Sequence, residues 1–316
     1  MSAKLNVKEL DTKERYVDVE KQAKRKVKLN KILSYGAFVG PALLFFILVQ
    51  IIPFFMGVYY SFTSWNGVSS AVEWVGLENY ITVFTDDAKF FNSFLFTTKF
   101  MLAAVLISNV IGFGLALILN AALKTKNILR TVFFIPNVIG GLLLGFIWQF
   151  IFVKGFASIG NMTDIGFFKL PWLGDETTAF WGIVIVFAWQ ISGYMMVIYI
   201  AALQGVDTSL LEAAKMDGAT NWSVLTKIMI PLILPAFTIC FFLTISMAFK
   251  IFDLNLSLTG GGPFNSTESV AINIYQEAFM NNRYGLGTAK SILFFIVVAL
   301  FTTFQVMFTK KREVEA

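Results

Sequence analysis

Six long apolar runs dominate the chain, over roughly 33–59, 94–120, 132–153, 180–203, 231–254 and 288–308. Each is close to the ~20 residues that a helix needs to cross a hydrocarbon core of ~30 Å. None alternates with the period of two expected of a barrel strand. Backbone polar groups in lipid must be satisfied within the segment itself. The pattern therefore predicts an all-α membrane protein with six transmembrane helices. The first run carries Pro41 and Pro53, which predicts a kink or a start at Pro41. Gly36/Gly40 and Gly141/Gly145 have the spacing of helices that approach closely. No internal repeat, low-complexity stretch or linker to a soluble domain interrupts the runs.

The basic residues orient the spans. Residues 1–31 hold ten Lys and Arg with five acids. Lys124, Lys126 and Arg130 follow in the 121–131 loop, Lys215 and Lys227 in the 204–230 loop, and Lys310, Lys311 and Arg312 in the tail. Eighteen of the 25 basic residues thus fall on one side. The rest, Lys89, Lys99, Lys154, Lys169, Lys250, Arg283 and Lys290, belong to the other side and its flanks. The positive-inside rule places both termini in the cytoplasm, as an even number of spans also requires. The basic segment 1–31 reads as a solvated tail that fixes topology, with a capacity to meet anionic membrane lipid. Its polarity, and the length of the first run, argue against a cleavable signal.

Composition narrows the chemistry. The chain is 57% hydrophobic and 14% charged, against about 25% charged in soluble domains. It has no His and one Cys, Cys240, within an apolar run; this removes the commonest metal ligand, the usual general base and any internal disulfide. No metal site, catalytic constellation or nucleic-acid surface is expected. The string Gly285–Ser291 resembles a phosphate loop, but Ala289 stands where the second glycine is required. An ion-coupled secondary transporter is the competing class. Such carriers need buried carboxylates or His, and the apolar runs hold almost none. Lys250 and Asp253, one turn apart near the outer end of the fifth run, read as an ion pair.

The loop at 205–230 carries the strongest signal. Ser209 and Glu212 have capping-box spacing, Gly218 suits a helix stop, and Thr220 can cap a second helix entering the membrane at Pro231. Glu212-Ala213-Ala214, three residues, Gly218, nine residues, Ile228, then Ile230-Pro231 resembles the EAA signature of binding-protein-dependent ABC importer permeases, with Ile230 where leucine is usual. The likeness runs from about residue 36 and is nearest to carbohydrate permeases similar to the larger maltose component. It is carried further by Ser61-Phe62, Val75-Gly76-Leu77-Glu78-Asn79-Tyr80, Arg130–Pro136 and Thr259-Gly260-Gly261-Gly262-Pro263. The extra N-terminal spans and large external domain of the enterobacterial maltose subunit are missing.

The resemblance implies a type I ABC importer transmembrane domain over 32–312, forming half of a sugar pathway. The implied partners are a second homologous permease, two ATPase subunits and an extracytoplasmic solute-binding protein, in the bacterial inner membrane. ATP and Mg would sit on the ATPases, so this chain is not itself an enzyme and holds no cofactor. Glu212, Ala213, Ala214, Asp217 and Gly218 become the ATPase-coupling residues. Thr244, Met247, Ala248 and Ile251 match path positions in the family, with spacing that places them on one helical face. Trp189, Gln190 and Tyr194 add aromatic and hydrogen-bonding groups suited to a sugar. Permeases for polyols or glycerol-phosphate share these motifs.

Overall fold

A computed structural model describes residues 35–121 and 123–311, with Lys26 besides; the rest of the basic segment at 1–31, like Arg312, lies outside the described residues. The chain divides into two units, Met1–Tyr59 and Tyr60–Ala316. The first is represented by helix α1, Tyr35–Tyr60. Pro41 lies inside this helix and does not begin it. Ahead of Pro53 the helix widens into a π-turn at Ile47–Ile51, where Ile52 N–H donates to the Ile47 carbonyl. Such a turn accommodates a ring that would otherwise strike the preceding turn.

The second unit begins with a joint between two of the motif strings. Asn79 Nδ2 donates to the carbonyls of Ser61 and Thr63, each at 2.8 Å. The Ser61 and Tyr80 hydroxyls are 2.8 Å apart. Then follow α2 (Glu78–Thr85), α3 (Ala88–Asn120), α4 (Lys126–Val138) and α5 (Gly141–Thr163). Helices α6 (Glu176–Gln204), α7 (Thr208–Met216), α8 (Asn221–Leu232) and α9 (Leu234–Phe249) come next. The last are α10 (Asp253–Leu258), α11 (Val270–Tyr275, continued by a π-turn at Gln276–Met280) and α12 (Tyr284–Lys310).

Helices α1, α3, α5, α6 and α12 are long and apolar enough to cross a membrane, and α8 with α9 makes a sixth span bent by 68°. Two of the expected spans differ from this. The run at 132–153 is broken, because α4 stops at Val138 and Ile139 and Gly140 are extended before α5 starts at Gly141. The carbonyl freed at Ile139 accepts from Gln190 Nε2 at 3.1 Å, as a break at membrane depth requires. The run at 231–254 bends at Ile233 next to Pro235, which brings no N–H to the helix. It ends at Phe249, and α10 is a separate short helix.

Contacts fix the helix directions. Phe96 meets Phe180 and Phe100 meets Phe187, so α3 and α6 run parallel. Phe113 meets Phe237 while Asn109 meets Thr244, so α9 runs against α3. Phe249 meets Phe294 and Phe301, and Gln305 reaches the Thr238 carbonyl, so α12 runs against α9. One end of this unit therefore holds the starts of α3, α6 and α12, with α10 and α11. The other holds their ends, with α7. The Gly141/Gly145 pair does serve close approach, but to α10 of the same chain: a Cβ on Gly145 would lie 2.9 Å from Ser257 Cβ and 3.0 Å from the Leu254 carbonyl.

Candidate functional site

Helix α7 starts from Asp207, whose carboxylate accepts from Ser209 N–H at 2.9 Å. The expected cap, Ser209, is instead inside the first turn. The N–H donation holds the Asp207 carboxyl below its ordinary value. At the other end Ala219 N–H donates to the Ala214 carbonyl and Gly218 N–H to that of Lys215, the crossed pair of a Schellman stop. Gly218 has φ +81°, which glycine adopts without steric penalty. Thr220 caps α8 as expected, accepting from Ser223 N–H at 3.2 Å. No residue of α7 is buried. Glu212, Ala213, Asp217 and Gly218 are exposed and Ala214 is half-buried. Leu210, Met216 and Trp222 stand open beside them. A short helix with this much free apolar surface offers a contact face, with the Glu212 carboxylate on it.

The path candidates separate. Thr244, Ala248 and Ile251 are buried inside the chain, and Ile251 lies beyond the end of α9, so the four residues do not form one helical face. Met247 alone is exposed. The Thr244 hydroxyl donates to the Cys240 carbonyl at 2.7 Å and accepts from Asn109 Nδ2 at 3.2 Å. Asn109 Oδ1 in turn accepts from the Tyr199 hydroxyl at 2.8 Å. On α6, Trp189 is exposed and meets Trp148 of α5 edge-on at 5.5 Å. Gln190 serves the α4–α5 break, and Tyr194 is half-buried. Trp189 faces α5 and Gln190 the α4–α5 break, whereas the Thr244 hydroxyl lies between Asn109 of α3 and Met195 of α6. No hydrogen bond or ring contact joins Thr244 to Trp189, Gln190 or Tyr194 among the described residues.

Lys250 and Asp253 do not pair; both are exposed, and no ion pair joins them among the described residues. Lys250 ends α9 and Phe252 leaves helical geometry, so no single turn aligns the two side chains. The buried cation is Lys290, which sequence reading placed only on the outer flank. It is 0% exposed, with Asp87 Oδ2 at 2.5 Å, Glu277 Oε2 at 2.7 Å and Asn273 Oδ1 at 3.0 Å. Arg283 holds the other Glu277 oxygen at 2.6 Å. A lysine beside an apolar run signals the need for a partner, but nothing local in the sequence points to Asp87.

With this geometry, the pattern of binding-protein-dependent transport system inner membrane components matches residues 108–314. The chain belongs to that family. The permease is 48% identical over 281 residues to the probable starch degradation products transport system permease protein AmyD of Thermoanaerobacterium thermosulfurigenes, covering 89% of this chain and 95% of that one. It is 32% identical over 290 residues to the multiple sugar-binding transport system permease protein MsmF of Streptococcus mutans, covering 92% and 99%. Among solved structures, a bacterial ABC transporter involved in the import of the acidic polysaccharide alginate superposes with a TM-score of 0.79 at 19% identity, over 92% of this chain and 99% of that one. That likeness concerns the fold. The chain is thus a membrane-embedded permease with the fold expected from its sequence.

Proposed function

We propose that this permease is one of two homologous permease subunits of an ATP-driven oligosaccharide importer in the bacterial inner membrane, and forms half of the sugar pathway. Its likeness along nearly the whole chain to a permease named for starch degradation products supports the substrate class. Helix α7 is the observation that carries the reading. It stands clear of the bundle, at the end where α12 finishes and where the lysine-rich loops collect. By the positive-inside rule that end is cytoplasmic. The α7 helix there docks into an ATPase subunit, with Glu212 meeting a basic residue of the partner in a charge-assisted contact that fixes register. ATP and Mg are held by the two ATPase subunits. An extracytoplasmic binding protein delivers sugar to the opposite end, where α10 and α11 lie.

The complex reconstituted with its ATPases, second permease and binding protein tests this. Maltodextrins made from starch should speed ATP hydrolysis and accumulate in vesicles. An assembled complex that ignores every malto-oligosaccharide offered would remove the sugar assignment. Glu212→Ala should release or uncouple the ATPase; full transport with normal ATPase retention would remove the docking assignment.

A further inference from the structure

Three buried side chains tie together three spanning helices, and two of those helices flank the α7 loop. Asn109 of α3, Tyr199 of α6 and Thr244 of α9 are 3%, 0% and 0% exposed. The Asn109 amide is fully used: Nδ2 donates to the Val105 carbonyl and to Thr244 Oγ1, and Oδ1 accepts from Tyr199. The Thr244 hydroxyl donates its own hydrogen bond to the Cys240 carbonyl. A second layer lies one turn away. Phe113, Tyr199 and Phe237, again one from each helix, stand 4.8–5.4 Å apart between ring centroids. Beside them α3 meets α6 so closely that a Cβ on Gly112 would lie 2.9 Å from the Ser192 carbonyl.

The placement of this joint matters more than its strength. Tyr199 is five residues before the end of α6 at Gln204, and Phe237 is four residues after the bend at Ile233. The segment carrying α7 and α8 is therefore anchored on both sides at one point. That point is fixed to α3 as well. In lipid there is no hydrophobic force to hold helices together, and packing with interhelical hydrogen bonds must do so. We infer that Asn109, Tyr199 and Thr244 are positioning residues that make α3, α6 and α9 move as one body with the coupling loop, so that displacement of α7 reaches the translocation path.

This rests on the importer reading above. Thr244→Val removes the hydroxyl at nearly constant volume, and Thr244→Ser keeps it. In the complete reconstituted complex, radiolabelled maltose imported per ATP hydrolysed should fall about threefold in Thr244→Val, the size of one average interhelical hydrogen bond in a membrane. Tyr199→Phe should fall similarly. Thr244→Ser should couple like the wild type. The inference is overturned if sugar per ATP is unchanged in both Thr244→Val and Tyr199→Phe, even where less complex is recovered, since a purely structural role lowers yield and not the ratio. It is equally overturned if Thr244→Ser loses as much as Thr244→Val. A wild-type complex that imports no maltose or other malto-oligosaccharide would instead count against the importer reading; the ratio of ATP hydrolysis with and without binding protein then reads the coupling in its place.

Discussion

Taking one partner from a buried ion pair strands the other charge in a medium that solvates it poorly. Lys290 of α12 holds Asp87, the residue that caps α3, and Glu277 of the π-turn that continues α11, and all three side chains are largely inaccessible. Lys290→Met should destabilise the fold by about 3–5 kcal/mol, read as a lowered melting temperature in detergent. Adding Asp87→Asn and Glu277→Gln should restore part of that loss, because no carboxylate is then left unpaired. Gly193 gives a steric counterpart. A Cβ there would sit 2.6 Å from the Phe133 carbonyl carbon, so Gly193→Ala must push α4 off α6 and should cost about 1–3 kcal/mol. Residue types of this kind were legible; their partners were not. Lys290 is a cation on the flank of an apolar run, and Thr244 is the one hydroxyl among the four positions matched to the path. Hydropathy says nothing about which distant side chain completes each contact, so Thr244 read as a lining group when its hydroxyl is spent on Asn109 and Cys240.

Helix α7 owes its limits to local chemistry, which is why its sequence announced it. Gly218 and Thr220 act where their spacing placed them, and only the start moved, from Ser209 to Asp207. Asp207 has a lowered folded-state pKa through its bond from Ser209 N–H. Its contribution is therefore present above the unfolded value and is lost as pH falls through the folded one. Protection of the Ser209 amide, measured relative to its intrinsic exchange rate, should fall in acid below the ordinary aspartate range of about 4, and Asp207→Ala should show the same low protection at neutral pH. Gly218→Ala forces a side chain onto φ +81°. Because α7 buries nothing in this chain, the variant should melt like the wild type yet retain less ATPase on co-purification. The breaks at Ile139–Gly140 and Ile233 were less legible. A hydropathy window averages over apolar residues and does not register a lost backbone hydrogen bond, although Pro136, Gly140, Gly141 and Pro235 mark both places.

For the whole molecule, the count of spans follows from the lengths of apolar sequence and the family from one loop, while the neighbours of each helix follow from neither. Topology is directly testable, because Cys240 is buried and adds little background. A cysteine placed at Asp217 should be labelled only from the cytoplasmic side and one at Asn265 only from outside; the reverse would overturn the orientation and the docking assignment together. The 68° bend between α8 and α9 also has a mechanical meaning. The twelve residues of α8 span about 18 Å at 1.5 Å per residue, so the bend carries α7 roughly 17 Å sideways from the α9 axis. Helix α8 is then a crank arm. A tilt of the α9 shaft by about 10° corresponds to some 3 Å of travel at the tip of that arm, and a push on the tip is delivered to the shaft as torque. A straight span entering the bilayer at Pro231 would have passed on thrust alone, with no mechanical advantage.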